Sequence, residues 1–289
     1  MGATPTPIRQ FMEVNWIIEN FTKEPSFKGL SEAVEKAGYP LIRIEGDYNR
    51  DALSPLRKLP FGQYGCAIVS GSIKMCKILQ EELDNYSPVL YSTFKNYKCS
   101  AYYSHFGPHL FNDKYCIMSL KEIVRQKFDI WGHYGKDSLI FIRPDSGEKT
   151  FQAGLLDIQD LPQLYDSNKD FEHDLMIVST PKNIKWEGRF VVSKYKKIIA
   201  YSTYRFQGNV TRIPSVPPET LKFCKELLDK VDYHPDSVFC YDLCQDNDGE
   251  CWLMELTSFS SAGLYECNKD DIVRHVSEIA YQDFMELYG

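Results

Sequence analysis

The chain has 289 residues, 43% of them hydrophobic and 14% aromatic, which is enough to bury substantial cores and to form two or three lobes. Its formal net charge of −7 argues against a nucleic-acid partner. No hydrophobic run reaches the roughly 18 residues of a membrane span, and the N-terminal MGATPTPIRQ lacks the apolar core of a secretory signal. We therefore expect a flexible leader, no membrane partner and a cytoplasmic protein, whose nine cysteines are reduced thiols.

The first third of the chain alternates strand and helix patterns. Strands are predicted over VNWIIEN, PLIRIEG and YGCAIVSGS, and helices over Leu30 to Ala37 and over SIKMCKILQEEL. This order is typical of βαβ units, so we expect a small parallel sheet covered by helices. The carboxyl ends of such strands often present a ligand site.

The middle of the chain carries weaker patterns. Residues 86 to 116 are rich in tyrosine and turn residues and show no clean period, so we expect a connector with a binding surface. The segment SLKEIVRQKF predicts one short amphipathic helix.

A strand and a glycine-containing loop then bring two cations together. The strand LIFIR ends in Arg143, and the following loop, PDSGEKTF, holds Lys149. Backbone N–H groups and two positive charges suit the oxygens of nucleotide phosphates. The same residues also fit an exposed cation pair on a hairpin, and the pattern alone does not decide.

Two further strand patterns follow an acidic linker. The segment DLMIVSTP predicts a strand, and KWEGRFVVSKYKKIIAYSTYRF predicts a hairpin that turns at Lys194 to Lys197. Glu187 and Arg189 share one face of the hairpin, and Arg205 follows the aromatic run YSTY. Arginines among apolar neighbours need phosphate or carboxylate partners.

The stretch FCYDLCQDNDGECWLMELTSF predicts a terminal hairpin with two opposed acids. If Asp248-Gly249 is a two-residue turn, Asp242 pairs with Glu255. Directly opposed side chains have Cβ atoms about 4.5–5.5 Å apart, where like charges repel. A divalent cation between the acids relieves that repulsion, and magnesium is the natural choice. Lys or Arg from elsewhere, or a register slip by a bulge, are the alternatives.

Alternation along the two strands predicts the faces of this hairpin. One face is expected to be an apolar pack that includes Leu243 and Met254, and the other to carry the acids with Leu253. Three cysteines, Cys240, Cys244 and Cys251, fall on the face of the acids. They fit either a soft-metal site or buried thiols, and we favour thiols because no histidine joins them.

The ordered series of cations, apolar strand, E-x-R hairpin and paired acids resembles the ATP-grasp superfamily, and within it the clade named for two arginines and one lysine. Members of that clade are known mainly from bacterial and phage genomes. The resemblance covers roughly residues 130 to 265 well. It implies a mixed α/β (α+β) ATP-grasp fold with an N-terminal Rossmann-like pre-ATP-grasp domain. We place the N-terminal domain at residues 1–95 and the ATP-grasp domain, with the nucleotide between its two lobes, at 96–289.

The resemblance also implies roles for single residues. Arg143 and Lys149 would hold ATP phosphates, and the strand from Leu175 to Val178 would line the adenine with its backbone groups. Glu187, Arg189 and Arg205 would face the γ-phosphate and the substrate carboxylate, and the two acids would bind Mg²⁺. The implied nucleotide contacts are Arg143, Lys149, Met176, Ile177, Val178 and Glu187; the catalytic residues are Arg189 and Arg205; the metal ligands are Asp242, Glu255 and Thr257.

Two positions depart from the family pattern. The usual Glu-x-Asn reads Glu255-Leu256-Thr257, so a hydroxyl stands where an amide would help hold a second metal ion. The common lysine of the first strand is Arg143, which keeps the charge. The segment SFSSAGLY resembles the family's closing loop, or is a simple turn before a last helix predicted from Asp270 to Leu287.

The activity implied by the resemblance is ATP-dependent ligation. An ADP-forming carboxylate-amine ligase would join an amino acid or peptide carboxylate to an amine through an acylphosphate. A small-molecule kinase and a non-catalytic nucleotide-binding module are the alternatives. The sequence leaves open the two substrates, whether the acceptor is a protein, and the oligomeric state.

Overall fold

The computed structural model describes residues 14–20, 29–45, 66–82 and 91–288, so the predicted leader and the start of the connector lie outside the described residues. The helices are α1 (Leu30–Lys36), α2 (Ile73–Glu82), α3 (Cys99–Phe106), α4 (Leu120–Arg125), α5 (Lys127–Tyr134), α6 (Leu161–Ser167), α7 (Pro218–Lys230) and α8 (Lys269–Tyr288). The strands are β1 (Val14–Asn20), β2 (Leu41–Glu45), β3 (Cys66–Ser70), β4 (Tyr115–Ser119), β5 (Leu139–Pro144), β6 (Gly154–Asp157), β7 (Leu175–Ser179), β8 (Trp186–Ser193), β9 (Ile198–Phe206), β10 (Asn209–Ile213), β11 (Val238–Gln245) and β12 (Cys251–Ser258).

The N-terminal lobe is a parallel sheet in the order β2-β1-β3, as the βαβ pattern predicts. Trp16 of β1 is fully buried, and its indole N–H donates to Ser277 Oγ of helix α8 at 3.0 Å. Val273, Val276 and Ala280 of α8 belong to the same apolar cluster as Trp16. The last helix of the chain therefore completes the core of the first lobe.

A second, antiparallel sheet has the order β4-β7-β5-β6. Helices α4, α5 and α6 pack on it through Leu120, Ile130 and Leu161, which cluster with Ile142 and Met176. The prediction of one helix over SLKEIVRQKF is wrong, because the chain leaves the helical region at Gln126 (φ −104°, ψ 23°) and starts a new helix.

The tyrosine-rich connector is more ordered than its sequence indicates. It contains a 3-10 turn over Phe94–Tyr97, helix α3 and strand β4. Tyr102, Tyr103 and Phe106 of α3 are buried in an apolar cluster with Phe190 of β8 and Tyr241 of β11. The described part of the connector thus contains regular structure although its sequence shows no clean period.

The third sheet is antiparallel and has the order β10-β9-β8-β11-β12. Helix α7 packs on one face through Leu227 and Leu228, and the apolar cluster shared with the N-terminal lobe reaches the sheet at Val191 and Val238. The β8–β9 hairpin turns at Lys194 to Lys197, as predicted, with the Ser193 N–H donating to the Lys197 carbonyl at 3.0 Å.

The β11–β12 hairpin pairs Asp242 with Glu255, which confirms the predicted opposition of the acids. The predicted two-residue turn is wrong: the Asp246 N–H donates to the Glu250 carbonyl at 3.1 Å, so three residues form the turn, and its last residue, Gly249, has φ 86°. A bulge beyond Asp242 compensates for the extra residue.

Because of the bulge, two residues of β12 lie on other faces of the hairpin than predicted. Leu243 pairs with Leu253, and both lie in the apolar cluster under helix α7, whereas Leu253 was expected beside the acids. Met254, expected in the apolar pack, lines a cavity instead.

All nine cysteines are free thiols, seven of them buried. Within the described ranges, no helix combines the length and the apolarity that crossing a membrane requires.

Candidate active site

Glu255 lies between two cations supplied by the second sheet. Arg143, at the end of β5, donates from Nη2 to Glu255 Oε2 at 2.9 Å, and Lys149 donates from Nζ to Oε1 at 3.1 Å. The side chain of Arg143 is 8% exposed and that of Lys149 is 47% exposed. One partner of Glu255 is therefore fixed in the interior, and the other is free to change its position.

The loop that carries Lys149 is tied to the start of helix α3. Asp145 accepts hydrogen bonds from the Ser100 N–H at 2.9 Å and from Ser100 Oγ at 2.5 Å. Gly147 lies so close to the 3-10 turn that a Cβ atom there would stand 2.5 Å from the Phe94 carbonyl oxygen. The connector thus positions this loop.

Asp242 is held by a buried arginine. Arg189 of the neighbouring strand β8 donates from Nε to Asp242 Oδ1 at 2.8 Å and from Nη2 to Oδ2 at 2.7 Å. Its Nη1 donates to the Gly263 carbonyl at 2.7 Å. This two-pronged geometry is the strong form of a charge-assisted pair and fixes both side chains. The side chains are 6% and 2% exposed.

Thr257 connects the two acids. Its Oγ1 lies 3.2 Å from Asp242 Oδ2 and 3.3 Å from Glu255 Oε1. A hydroxyl has one proton, so it donates to one carboxylate at a time. The hydroxyl that replaces the expected amide thus lies at the centre of the acid pair.

The local charge balance favours an anionic ligand. Within the described part of the chain, Arg143, Lys149 and Arg189 form ion pairs with two carboxylates, Asp242 and Glu255, so this cluster carries a net positive charge. Burial raises the pKa of Glu255, but Lys149 and Arg143 outweigh burial and hold that pKa well below its ordinary range. Both acids meet the Lys or Arg partners that the sequence offered as an alternative to a metal ion.

Glu187 and Arg205 form a separate ion pair. Arg205 Nη1 donates to Glu187 Oε1 at 3.3 Å across the β8–β9 hairpin. Arg205 is 47% exposed, and burial raises the pKa of Glu187 although Arg205 opposes the shift. No hydrogen bond is described between Arg205 and the acid pair, so the structure brings Arg189, but not Arg205, to Asp242.

A cavity of about 450 Å³ opens beside Glu255. Its lining comes from several segments of the second and third sheets and includes Arg143, Lys182, Glu187, Arg205, Met254 and Glu255. This volume suits a drug-sized or nucleotide-sized ligand. Glu255 and Arg143 therefore face the same space as the pair of Glu187 and Arg205, whereas Asp242 and Arg189 do not line it.

The predicted adenine strand lies next to this cavity but not in its wall. Met176, Ile177 and Val178 are fully buried in β7, which pairs with β4 on one side and β5 on the other. Their backbone groups are thereby largely engaged in sheet hydrogen bonds. The wall is formed instead by the segment that follows, from Thr180 to Ile184.

Three functional candidates were missed in the sequence. Lys182 lines the large cavity, and Asp145 and Ser100 anchor the phosphate-loop candidate. The loop position of Lys182 directly after the predicted strand was an available signal. The pair of Asp145 and Ser100 joins segments 45 residues apart, and no local pattern indicates it.

The acid pair offers donor atoms of the kind that one magnesium ion takes, although the surrounding cations compete with a metal ion for them. Carboxylate and hydroxyl oxygens are the donors that Mg²⁺ prefers, and Asp242, Glu255 and Thr257 supply them. Glu255 is held by the half-exposed Lys149, which can turn towards a phosphate, whereas Asp242 is locked by Arg189. Among the described residues, no group of three or more His, Cys, Asp or Glu side chains converges, so the fit rests on two acids and a hydroxyl.

A family model for the ATP-grasp domain matches residues 120–275; it describes family 2 of the clade named for two arginines and one lysine. The match spans more than half of the 289 residues, and the chain belongs to this clade of the ATP-grasp superfamily. No curated protein matches the chain in sequence.

Solved structures show the same fold. D-cycloserine synthetase DcsG superposes with a TM-score of 0.64 at 9% identity, over 92% of this chain and 99% of that one. D-alanine–D-alanine ligase from Bacillus anthracis complexed with ATP gives 0.55 at 13%, over 96% and 98%. ATP-grasp ligase PsnB complexed with precursor peptide PsnA2 and AMPPNP gives 0.55 at 10%, over 95% and 100%. The chain thus has the fold of ATP-grasp ligases.

Proposed function

We propose that this protein is an ADP-forming carboxylate-amine ligase that uses ATP. The observation that carries the proposal is the acid pair with its three cations, of which Glu255 and Arg143 line a nucleotide-sized cavity. Membership of the ATP-grasp superfamily and the fold shared with D-alanine–D-alanine ligase and PsnB support it. The nine free thiols agree with a reducing cytoplasm, where we place the enzyme.

ATP would occupy the large cavity. Its base would lie against the segment from Thr180 to Ile184, whose backbone is not part of a sheet, rather than against Met176 to Val178. Its phosphates would extend towards Arg143 and Lys149. Lys149 can leave Glu255 for a phosphate because its side chain is half exposed and flexible.

The reaction would proceed in two displacements. A substrate carboxylate oxygen attacks the γ-phosphorus of ATP, the bond to the β-phosphate oxygen breaks, and ADP leaves. The amine then attacks the acyl carbon of the acylphosphate, loses a proton, and inorganic phosphate leaves with the former carboxylate oxygen. Arg205, which lines the large cavity, and Arg189, which holds Asp242, would stabilise the oxyanion that forms, because positive charge lowers the energy of developing negative charge.

Magnesium, when held by Glu255 with Asp242 and Thr257, would shield the charge of the phosphates. The role of these three residues as ligands belongs to the proposal. We propose one ion rather than two, because Arg189 occupies both oxygens of Asp242 and Thr257 replaces the amide of the family pattern.

The test is ADP release with magnesium, mixed amino acids and amines. We expect Glu255→Gln to lower the turnover at least about 100-fold, because it removes the charge of a proposed magnesium ligand. Lys149→Met should also lower turnover and weaken ATP-analogue binding. Lys121→Met is the matched control, since Lys121 on helix α4 is 52% exposed and pairs with Glu172 at 3.3 Å.

Asp242→Asn gives a second test, in which the folded fraction is measured first by circular dichroism. If Asp242→Asn and Glu255→Gln both fold and release ADP as fast as the parent, the acid pair has no part in catalysis. A stable phosphorylated product that forms without an amine would assign the protein to the small-molecule kinases.

A nucleotide-binding module without turnover is the second candidate. The buried fork between Arg189 and Asp242 favours it, because a locked acid is a poor ligand for a catalytic ion. Binding of an ATP analogue without ADP formation from any amino acid and amine would support this candidate.

A further inference from the structure

One carboxylate joins the two ends of the 3-10 turn over Phe94–Tyr97. Asp236, in the loop between helix α7 and strand β11, accepts the Thr93 N–H at 3.1 Å and the Thr93 hydroxyl at 2.5 Å. It also accepts the Tyr97 hydroxyl at 2.7 Å. Thr93 directly precedes the turn and Tyr97 is its last residue, so Asp236 holds both ends of the turn.

Neutral hydrogen bonds tie the middle of the turn to the same loop. Asn96 donates from Nδ2 to the Pro235 carbonyl at 2.8 Å, and the Tyr233 hydroxyl donates to the Asn96 carbonyl at 2.6 Å. The loop that carries Asp236 therefore follows the turn along its whole length, and the carboxylate supplies the bonds at the two ends.

The turn also contacts the loop from Asp145 to Lys149, called the Lys149 loop below. A Cβ atom at Gly147 would stand 2.5 Å from the Phe94 carbonyl oxygen and 3.0 Å from Tyr97 Cβ. Tyr97, Gly147 and Lys149 line one small cavity of about 100 Å³. The turn thus lies between the Asp236 carboxylate and the loop that carries Lys149.

The charge of Asp236 decides how many donors it can satisfy. An ionised carboxylate accepts hydrogen bonds at both oxygens, whereas a protonated carboxyl group brings a proton of its own and loses acceptor capacity. Burial raises the pKa of Asp236 to about 6, although the hydrogen bonds from Thr93 and Tyr97 oppose that shift. Protonation of Asp236 therefore leaves at least one of its three donors without its partner.

Other titratable groups face Asp236 from the neighbouring elements. Helix α8 contributes Asp283, whose negative charge adds to the effect of burial on the pKa of Asp236 and which pairs with Lys194 at 2.7 Å. Burial raises the pKa of three nearby tyrosines, so they stay neutral, and lowers the pKa of the neighbouring histidine: Tyr91, Tyr97, Tyr233 and His234.

We propose that Asp236 is a positioning residue for nucleotide binding: its ionised carboxylate holds the 3-10 turn in the shape that receives Gly147, and the turn thereby keeps Lys149 in place. The effect on the nucleotide rests on the proposed function, in which Lys149 turns towards an ATP phosphate. The effect on the Lys149 loop does not, because it follows from the hydrogen bonds and the close contact at Gly147.

Asp236→Asn in the full chain tests this role. Asn keeps the shape of the side chain but has acceptor lone pairs on one oxygen only. We expect faster backbone hydrogen exchange in the Lys149 loop as well as in the turn, and about three- to tenfold weaker binding of a nonhydrolysable ATP analogue with magnesium. Tyr97→Phe removes one of the donors and should cause a smaller change of the same kind.

Two control variants make the same chemical changes elsewhere. Asp232→Asn alters a fully exposed acid in the loop of Asp236, and Tyr165→Phe removes a hydroxyl that donates to Glu172 outside the turn. Both should leave analogue binding and exchange in the Lys149 loop unchanged. Circular dichroism establishes that each variant is folded under the conditions of the binding measurement.

Two further readouts distinguish positioning from a general loss of stability. In a Lys149→Met background, Asp236→Asn should cause no further loss of affinity, because the side chain that Asp236 positions is absent. The ratio of parent to Asp236→Asn affinity should be largest above about pH 7 and approach one below about pH 5, since protonation makes the parent a poorer acceptor. His234 is present in both proteins, so its titration cancels in this ratio.

Several outcomes would overturn the proposal. Faster exchange confined to the turn would show that the Lys149 loop is held by other contacts. An equal loss of affinity in the parent and Lys149→Met backgrounds, or an affinity ratio that does not change with pH, would also refute it. If the parent binds no ATP analogue while Asp236→Asn still speeds exchange in the Lys149 loop, the proposed function fails and the positioning of the loop stands.

Discussion

The pKa values of two carboxyl groups near the site, Glu255 and Asp236, are shifted in opposite directions. The two shifts therefore have opposite consequences for the stability of the folded protein. Lys149 and Arg143 hold the pKa of Glu255 well below its ordinary range despite burial. Glu255 therefore contributes stability above the ordinary carboxyl range, and that contribution is lost as the pH falls. The pKa of Asp236 is shifted upwards instead. Burial raises it from 3.8 to about 6, although Thr93 and Tyr97 donate hydrogen bonds to the carboxylate.

Asp236→Asn should change how the free energy of unfolding depends on pH. The folded protein binds the Asp236 proton more tightly than the unfolded chain, so this group destabilises the parent as the pH rises from about 4 to about 6, by at most roughly 3 kcal/mol. Asn cannot ionise, and the variant should gain stability relative to the parent across this range. Urea unfolding at several pH values measures the difference. The fully exposed Asp232 in the same loop provides the control, Asp232→Asn, and parallel profiles for all three proteins would contradict the prediction.

At the residue scale, the sequence predicted where the two acids lie on their strands better than it predicted which side chains they contact. The opposition of Asp242 and Glu255 followed from a turn signal and a count along two adjacent strands. The contact of Asp242 with Arg189 depends on β8 lying beside β11, which is set by packing between segments 53 residues apart. Local patterns carry no information about that neighbour.

At the scale of single elements, the loop from Asp145 to Lys149 is held in its conformation by contacts with other segments of the chain. Gly147 touches the backbone of the 3-10 turn, and Asp145 is bonded to the start of helix α3. This support comes from the connector whose regular structure the sequence did not reveal. Helix α3 buries Cys99, Tyr102, Tyr103 and Phe106 at the i, i+3, i+4, i+7 spacing of one helix face, but it is only eight residues long, and β4 is only five residues long. Such short elements leave a weak periodic signal in the sequence.

Gly147→Ala should displace this loop. The added Cβ would meet the Phe94 carbonyl oxygen at 2.5 Å, and backbone cannot move away as a flexible side chain can. We expect a loss of about 1–3 kcal/mol in the free energy of unfolding and weaker binding of an ATP analogue, because Lys149 shifts with the loop. Denaturant titration and calorimetry measure the two effects.

Gly132→Ala is the matched control for Gly147→Ala. A Cβ at Gly132 on helix α5 meets nothing within 4 Å, and Gly132 does not line the large cavity, so the same chemical change adds no contact there. If the two variants have equal stability and bind the analogue equally, the loop is not held by its contact with the 3-10 turn.

At the scale of the whole molecule, the predicted division at residue 95 separates segments that share one core. Trp16 and Leu30 of the N-terminal lobe cluster with Val276 and Phe284 of helix α8, at the opposite end of the chain. The boundary remains a prediction, and the parallel strands on its N-terminal side were predictable because their apolar runs are short and well delimited. The sequence of α8 predicts a helix, but it does not indicate that this helix packs on the N-terminal lobe.

A fragment of residues 1–95 should therefore not fold alone. Without α8 it exposes the apolar surface of β1 and α1 and loses the hydrogen bond from Trp16 to Ser277. We expect no cooperative thermal transition by circular dichroism and rapid proteolysis. Addition of a peptide of residues 266–289 provides the control, because it restores the missing wall. A cooperative transition of the fragment alone would show that its core is independent.

The terminal hairpin has one residue more in its turn than a two-residue loop, and one bulge that cancels the difference before the acids are reached. The distance between Asp242 and Glu255 therefore does not depend on the number of residues in the turn at the tip of the hairpin. A chain that lost Asn247 could straighten the bulge and keep the acids opposite each other, at the cost of moving Met254 out of the cavity wall. Length changes at the tip would then alter the shape of the large cavity while the spacing of the acids stays constant.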